Sequence, residues 1–435
     1  MAKENPVVRQ VAWKELFPWL LIVRSYRVAL DPRKVLIAAA GLFLTFLGCW
    51  FFGQLFGSNE SVAKLTPTFS SFPLDGITDK PVIDAGSLWN SVHQRLIGPF
   101  KAIFRAEVTV AQLAYLLLCC VWTVAVWSWG GGMICRMAAM EFTLEESIST
   151  GEAFRHAKKF FTTYFISPLC PLVGVFLALL PMCIAGLLMK FDFGVLLMAI
   201  LWPLVIAGGI LESILLIGLL LGWPLIWPTT AVEGSDAFEP LSRSFGYALQ
   251  RPLKYLAFVL LAVVVGTVAW LLVWIVISLM VSLTAYGASW GTGNDRMGQI
   301  VSTISSPGIR NMAEHLGPYP TTTAPFESGM GYYGVQVLTF WIGIMGLLAL
   351  GYGFSYFWTA STSIYLLLRA DVEGAEMDEI YRDEQEEEFG LPSLSATPET
   401  PPTDKSPEES APAEPEAAEE ASDEKETTSE EKPAS

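Results

Sequence analysis

Between Phe193 and Trp227 the chain runs for 35 residues with one ionisable side chain, Glu212. A helix rises about 1.5 Å per residue and the hydrocarbon core of a bilayer is about 30 Å thick, so this run exceeds one crossing. Backbone N–H and C=O groups find no water at that depth, which makes helix the local solution for a single apolar run. Glu212 then sits inside the membrane, where a carboxyl is costly and its partner becomes the question.

Five more apolar runs, at about 35–57, 108–134, 163–189, 254–284 and 335–368, bring the crossings to six. The expected fold class is therefore all-α: a polytopic membrane helical bundle with interfacial amphipathic helices and an acidic disordered C-terminal tail. Residues 1–34 form an N-terminal interfacial segment, 35–369 the transmembrane domain and 370–435 the tail. Within 11–30, Trp13, Phe17, Trp19, Leu20 and Val23 mix with Lys14, Arg24 and Arg27, the composition of a helix lying in the headgroup region. Asp31 and Pro32 suit the cap and first turn of the first crossing. In 58–107, Leu88, Trp89, Val92, Leu96, Phe100, Ile103 and Phe104 recur at helical spacing, predicting an amphipathic helix resting on the outer membrane surface.

The formal net charge of −16 belongs to the tail. Residues 371–435 carry 23 acidic and 4 basic side chains, leaving 20 and 23 for residues 1–370. From about Asp383 the chain is acidic, Pro-rich and nearly free of large apolar residues, so it cannot bury enough surface to offset its ordering entropy. Six crossings put both termini on one side. The segments on that side hold 14 Lys and Arg against 8 on the other, which places both ends in the cytoplasm of an inner, cytoplasmic membrane.

The polar segments 136–161 and 229–253 share a pattern. Each has an acid followed by Ala-Phe (Glu152–Phe154; Asp236–Phe238), then a base five residues after the Phe (Lys159; Arg243). Thr143 with Glu146 and Ser149 with Glu152 fit the S/T-x-x-E capping box, and Ser235 or Asp236 can cap the second helix. The expected apolar stripes are Phe154, Ala157, Phe160 and Phe161, then Phe238, Leu241, Phe245, Ala248 and Leu249. Arg155, Lys158, Lys159, Arg243, Arg251 and Lys254 become candidate basic contacts to the membrane surface. The pattern reads either as one device duplicated, making crossings 2–3 and 4–5 related halves, or as common membrane grammar met twice.

Three stretches, RSYRVALDPRKV before the first crossing, GGMICRMAAMEFT leaving the second and AVEGSDAFEPLSRSFGYALQRPLKYL between the fourth and fifth, resemble uncharacterised bacterial polytopic membrane proteins. The last is also similar in style to the membrane domain that accompanies some glycerophosphodiester phosphodiesterases. The catalytic domain of those enzymes is absent, so the resemblance implies the architecture and no activity.

No enzyme motif survives inspection. GASWG at 287–291 fits G-x-S-x-G, with Asp295 and His315 beyond Ser289, but a nucleophile elbow needs a strand–turn–helix on an α/β sheet. The six cysteines lie in or beside apolar runs without ligand spacing, and no cofactor, metal or nucleic-acid motif occurs. A proton relay needs a second titratable group at depth, and the other crossings offer none beside Glu212. Gly218 and Gly222, G-x-x-x-G, suit close helix packing. The leading expectation is a non-enzymatic protein that organises membrane or recruits protein partners through its cytoplasmic helices or acidic tail. A transporter or channel component using Glu212 comes second, and an enzyme with an outer-loop site third. Oligomeric state is left open.

Overall fold

The computed structural model describes residues 17–57, 59–69, 96–103, 108–314, 319 and 324–382. The tail from Asp383, the residues before Phe17 and most of the predicted 87–104 helix lie outside these. The described residues form helices and no strand: α1 Leu20–Ala29, α2 Pro32–Leu55, α3 Gly98–Ile103, α4 Val110–Thr143, α5 Thr150–Lys159, α6 Phe161–Leu188, α7 Asp192–Glu233, α8 Phe238–Gln250, α9 Pro252–Thr292, α10 Asn294–Thr303, α11 Pro307–Glu314 and α12 Met330–Glu373. Six of them, α2, α4, α6, α7, α9 and α12, are long and apolar enough to cross a membrane. The chain is a multi-pass helical membrane protein.

Helix α12 is the axis of the bundle and touches α1, α2, α4, α7 and α9. Its burial is uneven. Ala349–Tyr356 and Trp358–Arg369 are buried, whereas Phe340 and Trp341 near its start are about 60% exposed. The same holds for α7, buried over Leu225–Val232 and exposed over most of Phe193–Ile217. Protein-to-protein packing thus concentrates at the end where α1, α5 and α8 gather, hereafter the polar end. Lipid suits the rest, where large apolar side chains such as Ile200, Leu204 and Leu196 stand exposed.

Glycine makes the close approaches at this end. A Cβ on Gly131 would stand 3.0 Å from the Trp358 ring and one on Gly132 3.0 Å from Tyr164. That lets α4 press against α12 and α6, and Trp127 stacks on Phe354 at 5.0 Å between ring centroids. Trp127, Trp227, Trp270, Trp274 and Trp358 are core residues. Trp127 and Trp227 are buried because their helices continue past the lipid-sized run into protein.

The spans also outrun their sequence-read bounds. α4 continues to Thr143 because GGGMICRMAAMEF packs against protein, so Arg136 and Glu141 are tolerated within it. Thr143 accordingly bonds back to the Ala139 carbonyl rather than capping a new helix. The Ser149–Glu152 capping box forms as expected. α8 instead starts after Ala237, with neither Ser235 nor Asp236 as its cap.

Candidate functional site

Glu212 lies on α7 in the row Gly208–Glu212–Leu215. This row faces α6: a Cβ on Gly208 would meet Met182 Cε at 3.3 Å, and one on Gly174 of α6 meets Leu215 at 4.0 Å. The carboxyl is partly exposed and has no hydrogen bond or ion pair among the described residues. No second titratable group is shown beside it. Ser289, buried in the last turns of α9, donates to the Tyr286 carbonyl at 2.7 Å, so its hydroxyl is engaged within its own helix. Asp295 lies at the start of α10, and His315 is outside the described residues.

The six candidate membrane-surface bases divide into two groups. Arg155 and Lys158 are exposed on α5 and unpaired among the described residues. The others meet groups of the chain itself. Lys159 donates to the Tyr381 hydroxyl at 2.6 Å, with its ammonium 5.1 Å from that ring's centre. Arg243 reaches Glu239 at 2.7 Å, Glu373 at 3.3 Å and Glu233 at 3.4 Å. Arg251 and Lys254 both meet Asp371.

The inward faces of the two surface helices differ from the expected stripes. α5 buries Ala153, His156 and Ala157, while Phe154 is 47% exposed. α8 buries Pro240, Ser244, Tyr247 and Ala248, while Phe238 is 72% exposed. The bundle offers polar partners here, so small and hydrogen-bonding residues turn inward: Ser244 with Thr229 at 3.0 Å, Tyr247 to Glu373 at 2.5 Å. Burial, then the Glu373 carboxylate, pushes the Tyr247 hydroxyl above its ordinary pKa. Phe245 alone fills a notch on α7, where a Cβ on Gly222 would come within 2.3 Å of its ring. The G-x-x-x-G pair therefore seats a surface helix rather than another crossing.

Glu233, at the end of α7, gathers the helix ends. It accepts from Tyr365 at 2.7 Å and lies 2.9 Å from Arg369 Nε, an ion pair whose N–H is not aimed for a hydrogen bond. Gly234 follows in the left-handed conformation (φ 61°), where a Cβ would collide with the Tyr381 ring at 2.5 Å. Tyr381 belongs to a strap, residues 374–382, that returns over this end after α12. Its N–H donates to the Val232 carbonyl at 2.8 Å and its carbonyl accepts from Arg136 at 2.6 Å. Arg136 also donates to Ala231 at 2.9 Å. The Phe160 ring packs edge-on at 5.3 Å and His156 lies at 6.2 Å. On the opposite flank Lys34, fully buried, donates to Glu141 at 2.6 Å and to the Val28 carbonyl at 3.0 Å.

A separate feature lies within the spans. A cavity of about 220 Å³ is walled by α4, α6, α7 and α12, with Trp127, Leu172, Leu219, Trp223 and Trp358 among its lining. Leu216, one turn along α7 from Glu212, lines it; Glu212 does not. Leu96, Ile97, Phe100 and Lys101 supply another wall, and Ala102 packs with Tyr115 and Cys119. Segment 96–103 thus runs alongside α4, several turns in from that helix's start, instead of resting on the surface as its periodicity predicted. Among the described residues no cluster of potential metal ligands and no disulfide is present.

The fold and these contacts define a multi-pass helical membrane protein with a polar, cross-linked end. Comparison with protein-family models, curated proteins and solved structures finds no match for this chain.

Proposed function

We propose that this chain is a non-enzymatic protein of the bacterial cytoplasmic membrane. Both termini face the cytoplasm, and the protein serves as a fixed membrane platform for its acidic tail and the basic partner that tail attracts. The observation that carries the reading is the strap. The Tyr381 N–H donates to the Val232 carbonyl, its carbonyl accepts from the Arg136 guanidinium and its hydroxyl accepts from Lys159, so the chain leaves the bundle from a defined point. A tail of 23 acids against 4 bases over 371–435 creates a salt-sensitive field around that point. Arg155 and Lys158, unpaired among the described residues, remain for headgroup contact beside it.

Photo-crosslinking from Ser395 and Ala418 of the intact protein in membranes tests this. Discrete protein adducts that weaken as salt rises are expected, and adducts to lipid alone would reject the platform. The competing transport reading rests on the unpartnered Glu212 carboxyl, and its test is given below.

A further inference from the structure

We infer that the cavity between α4, α6, α7 and α12 is a binding site for an anionic phospholipid. One acyl chain fills the cavity and the Lys101 ammonium meets the phosphate. This site is independent of the platform at the polar end.

The wall is almost wholly apolar, with four tryptophans and several leucines. Thr123, the one hydroxyl among its described residues, is already spent on the Cys119 carbonyl at 2.7 Å. Apart from the unpartnered indole N–H groups of Trp227 and Trp358, the described lining offers water little to bond, and an acyl chain suits it better. An apolar cavity of about 150 Å³ accommodates a benzene ring, so about 220 Å³ takes on the order of nine carbons of a chain. The cavity lies between helices that the bilayer surrounds, so acyl chains are the molecules at hand. An empty void there would forfeit dispersion contacts on every wall.

Lys101 specifies the head. It is the one charged residue of the lining, it is exposed, and it has no hydrogen bond or ion pair among the described residues. It lines the cavity together with Thr123 of α4, beside a crossing helix, where a lone cation is costly and an anion is the natural complement. A four-carbon stem lets it rise toward the headgroup level, so a phosphate need not sink to the depth of the chain. A zwitterionic lipid brings its own cation to that phosphate; an anionic lipid leaves the charge free for Lys101.

The test uses the full chain in mild detergent, incubated with phosphatidylglycerol or phosphatidylcholine of identical chains and read by native mass spectrometry. One retained phosphatidylglycerol per protein is expected, favoured over phosphatidylcholine about fivefold, the worth of one basic residue near an anionic surface. Lys101→Gln should abolish the preference and Lys101→Arg preserve it. Val124→Phe and Leu219→Phe, each filling the cavity from a different wall, should lower retention of both lipids, with helical content and monodispersity as the check on folding. If the unaltered protein retains no lipid, or retains both equally, the site falls. Retention unchanged by the two filling variants while the fold holds would equally overturn it.

Discussion

At the scale of residues, the polar end is a set of charges matched largely within the chain, some of them buried. Lys34 shows what that demands. Glu141→Gln leaves its ammonium buried with only the Val28 carbonyl, and about 3 kcal/mol of stability should be lost, since an uncompensated buried charge costs more than the pair gains. Lys34→Met with Glu141→Leu should recover most of it; denaturation in detergent reads both. Asp31 offers a pH signature. Burial pushes its carboxyl up, but hydrogen bonds from Arg33 outweigh that and hold it below the usual carboxylate range. Because the folded value is the lower one, Asp31 stabilises above the ordinary carboxylate pKa and loses that effect as pH falls through its own. Asp31→Ala should therefore cost about 1 kcal/mol as a lost cap at neutral pH, with the gap to the unaltered protein closing in acid. Thermal melts across pH measure it. Glu212 is the contrast: with no partner to lose, Glu212→Gln should change stability by less than about 0.5 kcal/mol. If the same variant abolishes ion or proton flux in proteoliposomes, the transport reading displaces the platform.

At the scale of elements, the two surface helices reveal what sequence can and cannot carry. Their existence was legible, because capping residues and an amphipathic pattern are local signals, and the Ser149–Glu152 box forms as read. Their inward faces were not. Which side of α8 is buried depends on Glu373, Thr229 and the Gly218–Gly222 notch, which reach it through tertiary contacts. His156 lies inward against Phe160 and Tyr164, because the bundle presents aromatic rings there. The notch yields a coupling prediction. Gly222→Ala drives a methyl into the Phe245 ring and should cost about 1–3 kcal/mol as overpacking. Combined with Phe245→Ala the penalty should largely vanish, a non-additivity that a double-mutant cycle measures.

At the scale of the whole molecule, six long apolar runs made the crossings plain, and the same hydropathy hid everything that protein rather than lipid covers. The strap is the clearest loss. Residues 374–382 have no apolar period and read as the start of a solvated tail; their order comes from the Arg136 guanidinium on α4 and the Val232 carbonyl on α7, far away in sequence. Opening it is measurable. Tyr381→Ala removes the ring over Gly234 and the hydroxyl taken by Lys159, so tryptic cleavage after Arg382 should accelerate several-fold while the spans stay protected. The bond from Arg136 to the Tyr381 carbonyl joins groups 245 residues apart. Translation at about 5–20 residues per second puts roughly 10–50 s between their emergence from the ribosome. Through that interval four further helices insert, and although the Arg136 guanidinium can already meet the Ala231 carbonyl, its bond to Tyr381 can form only on a chain that has been synthesised through every crossing. The order of synthesis is in this sense written into the bond, and a nascent chain stopped short of residue 381 would be recognisable by a polar end that lacks this one closing contact.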